Sequence, residues 1–270
     1  MIQFSNCKIN IGLEILSKRP DGYHNIESVF YPIPLNDIVE MVANSDGDFK
    51  YTQSGILVDA DIADNLLYKA WRLLDNEYQI GGVNVHLHKQ IPMGAGLGGG
   101  SANAAVLLKM LNVEFELGLS IIELESYAAK LGSDCPFFIK EKPSFVFNTG
   151  TDANDISLSM KGYHIVIVKP EVHISTQEAY SGIITNLPSF SLVELPQLPI
   201  TEWKDKVYNR FENHVFILYP ELEKIKRKLY DLGAIYASMS GSGSAIYGLF
   251  DKTDIELDFP EDYFVWEGEL

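Results

Sequence analysis

Cysteine and basic residues are scarce in this sequence of 270 residues, and long hydrophobic runs are missing. The two cysteines, Cys7 and Cys135, are too few for a disulfide scaffold or a four-cysteine zinc site. We interpret both as small buried residues of a protein in a reducing compartment. No apolar run reaches the roughly 18 residues of a membrane-spanning helix, and Met1–Phe4 lacks the basic start of a signal peptide. These absences predict a cytoplasmic protein without a membrane partner.

Positive charge is in deficit, since 21 Lys and Arg face 37 Asp and Glu, which gives a net charge of −16. Such a surface disfavours nucleic acid and anionic membranes as partners, and a small-molecule ligand is expected instead. A hydrophobic fraction of 46%, with 14 Phe and 14 Tyr, excludes a disordered chain. The length allows one large core or two lobes, and both a monomer and a homodimer are compatible with the sequence.

The hydrophobic pattern changes period several times along the chain and predicts an α+β fold. Alternation predicts strands, i, i+3, i+4 spacing predicts helices, and Ser, Thr, Asp or Asn before such a run predicts an N-cap. Residues 186–199, with three prolines, are expected to form an irregular connection. The predicted strands are 4–16, 26–42, 49–53, 83–88, 163–168, 234–239 and 244–250, and the predicted helices are 66–78 after Asp64, 101–111 after a Ser101 cap, 120–131, 209–218 and 221–232. Two lobes are expected to meet near residue 150.

A glycine-rich segment before the predicted helix at Ser101 is the strongest functional signal. Five of its seven residues from Gly94 to Gly100 are glycine, which lets the backbone approach a ligand and turn its N–H groups inward. The helix start adds free N–H groups and a positive dipole end, so phosphate can bind without a basic side chain. The predicted phosphate-binding residues are Pro92, Met93, Gly94, Ala95, Gly96, Leu97, Gly98, Gly99, Gly100, Ser101 and Ala102.

Two common phosphate loops fit this segment poorly. Gly94, Gly96 and Gly99 satisfy the dinucleotide pattern G-x-G-x-x-G, and Glu114 lies near the expected acidic position. However, about 90 residues of largely β pattern precede them, where a first strand of a βαβ unit is required. A Walker A loop needs a lysine after its glycines, and none follows here. A nicotinamide-dependent dehydrogenase and a nucleotide-binding module without catalysis stay open at this point.

Three further segments help to distinguish between these classes of nucleotide-binding protein. Lys8 and Asn10 alternate on one face of the first predicted strand. Asp134 stands in L-G-S-D-C-P-F-F, a small turn before a predicted apolar strand, and Ser240–Ser244 form a second glycine-rich turn. A lysine-bearing strand, a mid-chain phosphate loop and a C-terminal glycine-rich loop in this order resemble the GHMP kinases, which include galacto-, homoserine, mevalonate and phosphomevalonate kinases.

The resemblance implies an ATP-dependent small-molecule kinase, with a nucleotide-binding domain over residues 1–150 and a C-terminal domain over 151–270. The motifs K-I-N-I-G-L-E-I, R-P-D-G-Y-H, D-N-L-L and G-S-D-C-P-F-F are most similar to members that phosphorylate the C2 hydroxyl of a cytidylylated methylerythritol, in the non-mevalonate route to isoprenoids. A homoserine-type or mevalonate-type kinase is the alternative within the family.

The resemblance also implies roles for the polar residues. Asp134 would be the general base, assisted by Lys8, and Asn10 would hydrogen-bond the substrate. Taken from the residues alone, Asp134 would be a turn or N-cap carboxylate and Lys8 a solvated strand residue.

Aromatic residues would bind the bases. By resemblance Tyr23 and His24 contact the cytidine, and Tyr180 falls where a second stacking aromatic is expected; a buried helix aromatic is the alternative for Tyr180. Asn65 and Lys89 fall where the family lines its adenine pocket.

The remaining implied contacts concern phosphate and metal. Gly241, Ser242 and Gly243 would close over the substrate phosphates, although a plain β-turn fits them equally well. The resemblance implies Mg²⁺, and because no acidic metal cluster is apparent, ATP and water would hold it, with Ser101 in reach of the ion or of a phosphate oxygen.

Overall fold

The structure is a computed structural model that describes residues 1–58, 61–183, 185, 188 and 190–270. Strands and helices both contribute, as the α+β prediction required. The strands are β1 (Ile2–Lys18), β2 (His24–Ala43), β3 (Phe49–Gly55), β4 (Val83–Lys89), β5 (Ser144–Asn148), β6 (Asp152–Asp155), β7 (His164–Lys169), β8 (Tyr236–Met239), β9 (Ile246–Phe250) and β10 (Phe264–Glu269). The α-helices are α1 (Leu66–Tyr78), α2 (Gly99–Glu114), α3 (Ile121–Ala129), α4 (Phe137–Lys140), α5 (Thr176–Ser181), α6 (Trp203–Lys206), α7 (Glu212–Leu218) and α8 (Pro220–Asp231).

Two sheets order the strands. The first has the hydrogen-bonded order β3-β4-β2-β5-β6, with β1 paired to β2, and the second has the order β10-β7-β9-β8. Strand β2 is long enough to pair twice, through Ile38–Ala43 with β4 and through Ile26–Phe30 with β5. The pair β3 and β4 is parallel, whereas the second sheet is antiparallel throughout.

Contacts group the chain into two compact units, each assembled from several stretches of sequence. Unit 1 comprises Met1–Cys7, Leu35–Met93 and Gly98–Lys142, and unit 2 comprises Lys8–Pro34, Gly94–Leu97 and Pro143–Leu270. The division at residue 150 stays a prediction.

In unit 1, helix α1 packs against α2, and α2 packs against α3 and α4. Nearly every residue of α2 from Ala102 to Leu111 is buried, which explains why its sequence is apolar on all sides instead of amphipathic. Leu74 of α1 is also fully buried. A helix enclosed in this way holds its N-terminus in a fixed position.

In unit 2, helix α8 packs against β8 and β9 of the second sheet, and α7 packs against α8. The core contains Val166 of β7, Ile246 of β9, Val215 of α7 and Leu229 of α8, all fully buried. The i, i+3 and i+4 spacing of Leu222, Ile225 and Leu229 places one apolar stripe of α8 on this sheet, which is the pattern that predicted the helix.

Several predicted boundaries differ from the structure for local reasons. Ser120 caps α3 with a full capping box, as predicted, because Glu123 returns a hydrogen bond to the Ser120 backbone. Asp64 does not cap α1; it ends a 3₁₀ turn, and the Asn65 side chain accepts from Leu67 N–H instead. The apolar run after Asp134 is the short helix α4 and not a strand.

The predicted irregular connection is partly outside the described residues. Asn186, Leu187 and Ser189 lie outside them, whereas Leu192–Gln197 form a 3₁₀ helix. Across the described parts of the chain, none of the helices has the length and apolar character needed to cross a bilayer.

Candidate phosphate-transfer site

The glycine-rich loop has a backbone that other residues could not adopt at low cost. Gly94, Gly96 and Gly98 have positive φ values of 60°, 72° and 70°. A Cβ on Gly96 would also collide with the carbonyl oxygen of Ser240. The alternation of left-handed and ordinary residues turns successive N–H groups toward one side, which is the geometry of an anion-binding nest.

Helix α2 begins directly after this loop, with Gly98 as its N-cap. Within its first turn, which the structure describes in full, no capping side chain accepts from the N–H groups and no acidic residue occurs. A helix N-terminus without such groups keeps its donors and its positive dipole end for a ligand. The start of α2 therefore suits a phosphate group.

Ser101 is the third residue of α2, so the prediction that it caps the helix is wrong. The left-handed Gly98 ends the loop and caps the helix three residues before the predicted cap. The Ser101 hydroxyl hydrogen-bonds to the thiol of Cys135, and burial raises the pKa of that thiol to about 11. Cys135 is therefore an inert buried thiol at neutral pH.

The second glycine-rich turn packs against the first loop within unit 2. Ser240 Oγ donates to the Gly96 carbonyl at 2.8 Å and accepts from the Asn10 N–H at 3.2 Å. The Ala245 N–H donates to the Ala95 carbonyl at 3.2 Å. Gly241 and its neighbours are thus tied to the loop and to β1 by backbone and hydroxyl bonds.

The Asn209 side chain stabilises this turn through hydrogen bonds, a role that the sequence did not predict. Its Nδ2 donates to the carbonyls of Met239 and Gly241, both at 2.7 Å, and its Oδ1 accepts from Phe211 N–H at 3.0 Å. The side chain is buried. An Asn between Tyr208 and Arg210 in a connecting segment carries no sequence signal for a partner about 30 residues away.

Lys8 and Asn10 lie side by side on β1, as the alternation predicted. The Lys8 amine donates to Asn10 Oδ1 and lies 4.5 Å from the centre of the Phe30 ring. Asn10 Nδ2 in turn donates to Ser28 Oγ at 2.8 Å, and the Lys8 N–H donates to the Leu97 carbonyl at 3.0 Å. The Lys8 backbone is therefore attached to the glycine-rich loop of its own unit.

Asp134 lies half-buried in the turn before α4 in unit 1. The Cys135 N–H donates to the Gly132 carbonyl at 3.2 Å, which closes the turn that carries Asp134. A closed turn of this kind is also the usual setting of a structural aspartate.

Asn65 and Lys89 make structural contacts in unit 1. Asn65 is the N-cap of α1. Lys89 Nζ pairs with Asp37 Oδ2 at 2.5 Å, while Asp37 Oδ1 accepts from the N–H groups of Gln90 and Ile91 at 2.7 and 2.8 Å. The burial that surrounds Lys89 lowers its pKa more than Asp37 raises it.

The three predicted cytidine-binding aromatics are only partly brought together. His24 stacks on Tyr180, with ring centres 4.7 Å apart and planes 18° apart, and Tyr180 meets the edge of Phe211. Tyr23 is 67% exposed and hydrogen-bonds through its backbone to Asp21. Partial burial lowers the pKa of His24, which favours its neutral form.

Family comparison assigns this loop-and-helix fold to a class. The model of the GHMP kinases N terminal domain matches residues 65–142, and that of the GHMP kinases C terminal domain matches residues 193–258. Together they match more than half of the sequence, and the chain belongs to the GHMP kinase family. The dinucleotide-binding interpretation of the glycine pattern is thereby replaced.

Individual relatives show which members of this family the chain is similar to. The chain is 50% identical to the 4-diphosphocytidyl-2-C-methyl-D-erythritol kinase of Bacteroides fragilis and 49% identical to that of Parabacteroides distasonis, over 100% of both chains in each case. A crystal structure of 4-(cytidine 5'-diphospho)-2C-methyl-D-erythritol kinase matches with a TM-score of 0.81 and 30% identity, covering 92% of this chain and 90% of the other. The mevalonate kinase of Methanococcus jannaschii shares the fold, with a TM-score of 0.69 at 12% identity over 100% of this chain and 98% of that one.

Proposed function

We propose that this chain transfers the γ-phosphoryl group of ATP to the C2 hydroxyl of 4-diphosphocytidyl-2-C-methyl-D-erythritol, a step toward isoprenoid precursors. The observation that carries the proposal is full-length identity of 50% with a kinase named for that substrate. The bond between the γ-phosphorus and its bridging oxygen breaks, a bond to the C2 oxygen forms, and the hydroxyl proton leaves to a base. ADP and the 2-phosphorylated product result.

The glycine-rich loop, Pro92–Ala102, binds the ATP phosphates in this proposal. The positive φ values at Gly94, Gly96 and Gly98 and the uncapped start of α2 support it, since backbone donors and the helix dipole suit polyphosphate. Local dipoles of this kind reconcile an anionic ligand with a net charge of −16.

Asp134 is the proposed acceptor of the hydroxyl proton, and Lys8 is the cationic group that assists it. Phosphoryl transfer needs positioning and charge stabilisation more than covalent chemistry, so a fixed carboxylate and a fixed ammonium are suitable groups. The closed turn around Asp134 and the bond from Lys8 to Asn10 supply that fixation. Asn10 is proposed to bind the substrate.

His24 and Tyr180 are proposed to bind the cytosine, because their stack already offers an aromatic face and a ring nitrogen. Tyr23, which is exposed and precedes His24 in the sequence, is proposed as a further stacking partner. Gly241, Ser242 and Gly243 are proposed to bind the substrate phosphates, supported by the clamp of Asn209 on this turn. Asn65 and Lys89 are proposed to line the adenine pocket. Asn65 caps α1, and Lys89 is the last residue of β4.

Mg²⁺ is proposed as the metal that accompanies ATP. Among the described residues no group of three His, Cys, Asp or Glu side chains converges on a metal position. The donor set that fits is the phosphate oxygens of ATP with water and the Ser101 hydroxyl. When bound, the ion neutralises charge on the β- and γ-phosphates.

The setting of the enzyme is proposed to be the cytoplasm, as a monomer or homodimer that acts on a small molecule and binds no nucleic acid. The net charge of −16 supports the last point.

Release of ADP tests the function. With the cytidylylated substrate present, the purified chain should release ADP in a coupled assay with ATP and Mg²⁺; homoserine and mevalonate serve as control substrates. If ADP is released with mevalonate or homoserine but not with the cytidylylated substrate, the chain is another type of GHMP kinase.

Replacement of Asp134 tests the chemistry. Asp134→Asn should lower kcat by about 10²–10⁴-fold because a general base is lost, while ATP binding measured by thermal shift stays unchanged. The matched control is Asp152→Asn, an exposed carboxylate on β6. Near-normal turnover of Asp134→Asn would remove Asp134 as the base.

A further inference from the structure

Two histidines on strand β4 lie together with hydroxyl groups of strand β3, all within unit 1. His86 and His88 are two residues apart on the strand, so their side chains share one face of the sheet. The parallel register places Thr52 opposite His86 and Ser54 opposite His88. None of these four residues has a role in the function proposed above.

The nitrogens of the two rings converge on one atom. Ser54 Oγ lies 3.0 Å from His86 Nε2 and 2.9 Å from His88 Nδ1. A serine hydroxyl has a single proton and can donate to only one of these nitrogens at a time. Both rings are half-buried, which limits their rotation.

The nitrogens on the far sides of the rings have partners of their own. His86 Nδ1 lies 2.8 Å from Thr52 Oγ1, and His88 Nε2 lies 3.4 Å from the side-chain amide of Gln90. An amide presents either its NH₂ or its oxygen after a half-turn. When Thr52 and Gln90 accept these N–H groups, lone pairs on His86 Nε2 and His88 Nδ1 both face Ser54.

This is the arrangement of metal-binding histidines, in which one nitrogen faces the ion and the other donates to an orienting acceptor. We propose that His86 and His88 form a binding site for a divalent late-transition ion such as Zn²⁺, Ni²⁺ or Cu²⁺. Imidazole nitrogens are ligands that these ions prefer. Ser54 and water complete the coordination.

An exposed carboxylate adds to the same face. Glu40 of β2 is the register partner of His86, and its side chain is exposed. Paired residues of neighbouring strands have Cβ atoms about 5 Å apart, so Glu40 adds negative charge that attracts a cation. The site is thus a two-histidine site, weaker than a closed structural zinc centre with four protein ligands.

Calorimetric titration with ZnCl₂ alone, in the absence of nucleotide, tests the proposal. The wild-type chain should bind one Zn²⁺, and His86→Gln or His88→Gln should each weaken binding at least tenfold. The matched control His214→Gln removes a histidine from unit 2 and should leave the affinity unchanged. Binding that survives in the His86→Gln/His88→Gln double variant, or no binding by the wild type, overturns the site.

A second variant separates an oriented site from ordinary surface histidines. Thr52→Val removes the acceptor for His86 Nδ1 and should weaken Zn²⁺ binding by about tenfold, as loss of an outer partner does in metal sites. Cu²⁺ bound to the wild type should show couplings to two nitrogens in its electron paramagnetic resonance spectrum. An unchanged affinity of Thr52→Val, or a single-nitrogen spectrum, contradicts the proposal.

Discussion

Lys8 and Lys89 are equally buried lysines on strands, 2% and 3% exposed, yet their surroundings differ. Lys89 pairs with the Asp37 carboxylate, which is itself held by two backbone N–H groups. The contacts of Lys8 within unit 2 include the neutral amide of Asn10 and the face of Phe30. Burial alone therefore does not tell a structural lysine from a functional one.

The chemistry of the Lys89 neighbours indicates a structural role. A carboxylate at 2.5 Å neutralises the Lys89 ammonium and anchors the chain before the glycine-rich loop. At Lys8, an amide oxygen and an aromatic face contribute to the orientation of the ammonium.

The largest effect is expected from Lys89→Met. The change leaves the Asp37 carboxylate buried without its counter-charge, and such a loss costs about 3–5 kcal/mol of the free energy of unfolding. Urea titration measures it, with Lys50→Met as control because the Lys50–Asp46 pair is exposed and such pairs contribute about 1 kcal/mol at most. Equal losses in the two variants would contradict a structural role for Lys89.

Lys8→Met tests the role proposed for this lysine in phosphoryl transfer. We expect kcat to fall by about 10²–10³-fold, as when one stabilising group is removed from a developing charge. Steady-state kinetics measures kcat, and urea titration of the same preparation measures the free energy of unfolding. Lys224→Met, exposed on α8, is the control. A pure loss of stability would place Lys8 with Lys89.

The sequence was sufficient for the features that follow from short-range pattern. Alternation on β1 placed Lys8 beside Asn10, and glycine density located the loop of positive-φ glycines. The exact start of α2 was missed because a left-handed Gly98 ends the loop, and a serine-cap rule cannot detect that conformation.

Contacts between segments that are far apart in the sequence could not be predicted from short-range pattern. Lys89 pairs with Asp37, 52 residues away, only because β2 and β4 are neighbours in register. Asn209 reaches Met239 through the packing of unit 2. Helix α4 replaced a predicted strand because an apolar run of this length fits either element, and the helical turn already set at Cys135 continues into it.

A double variant tests whether charge or packing explains the contribution of Lys89 to stability. In Lys89→Met/Asp37→Asn, the amide introduced in place of the Asp37 carboxylate is neutral, and its oxygen can still accept from the Gln90 and Ile91 N–H groups. Because no buried charge remains, unfolding by urea should show a free energy within about 2 kcal/mol of wild type, well above the single variant. If the double variant is as unstable as Lys89→Met, packing of the lysine stem and not charge explains its contribution.

The smallest effect is on the pH dependence of stability, and it tests whether burial or pairing dominates at Lys89. Burial holds the pKa of Lys89 below its ordinary value of 10.5, against the opposing effect of Asp37. Between the lowered pKa of the folded chain and the pKa of 10.5 in the unfolded chain, the unfolded chain binds more protons, so stability rises with pH.

The unfolding free energy of wild type, relative to the Lys89→Met/Asp37→Asn variant, should therefore increase as pH approaches 10.5, by at most about 1.4 kcal/mol per pH unit. Urea titrations of both proteins from pH 8 upward measure the difference, and a decrease would show that the Asp37 carboxylate raises the pKa of Lys89 more than burial lowers it.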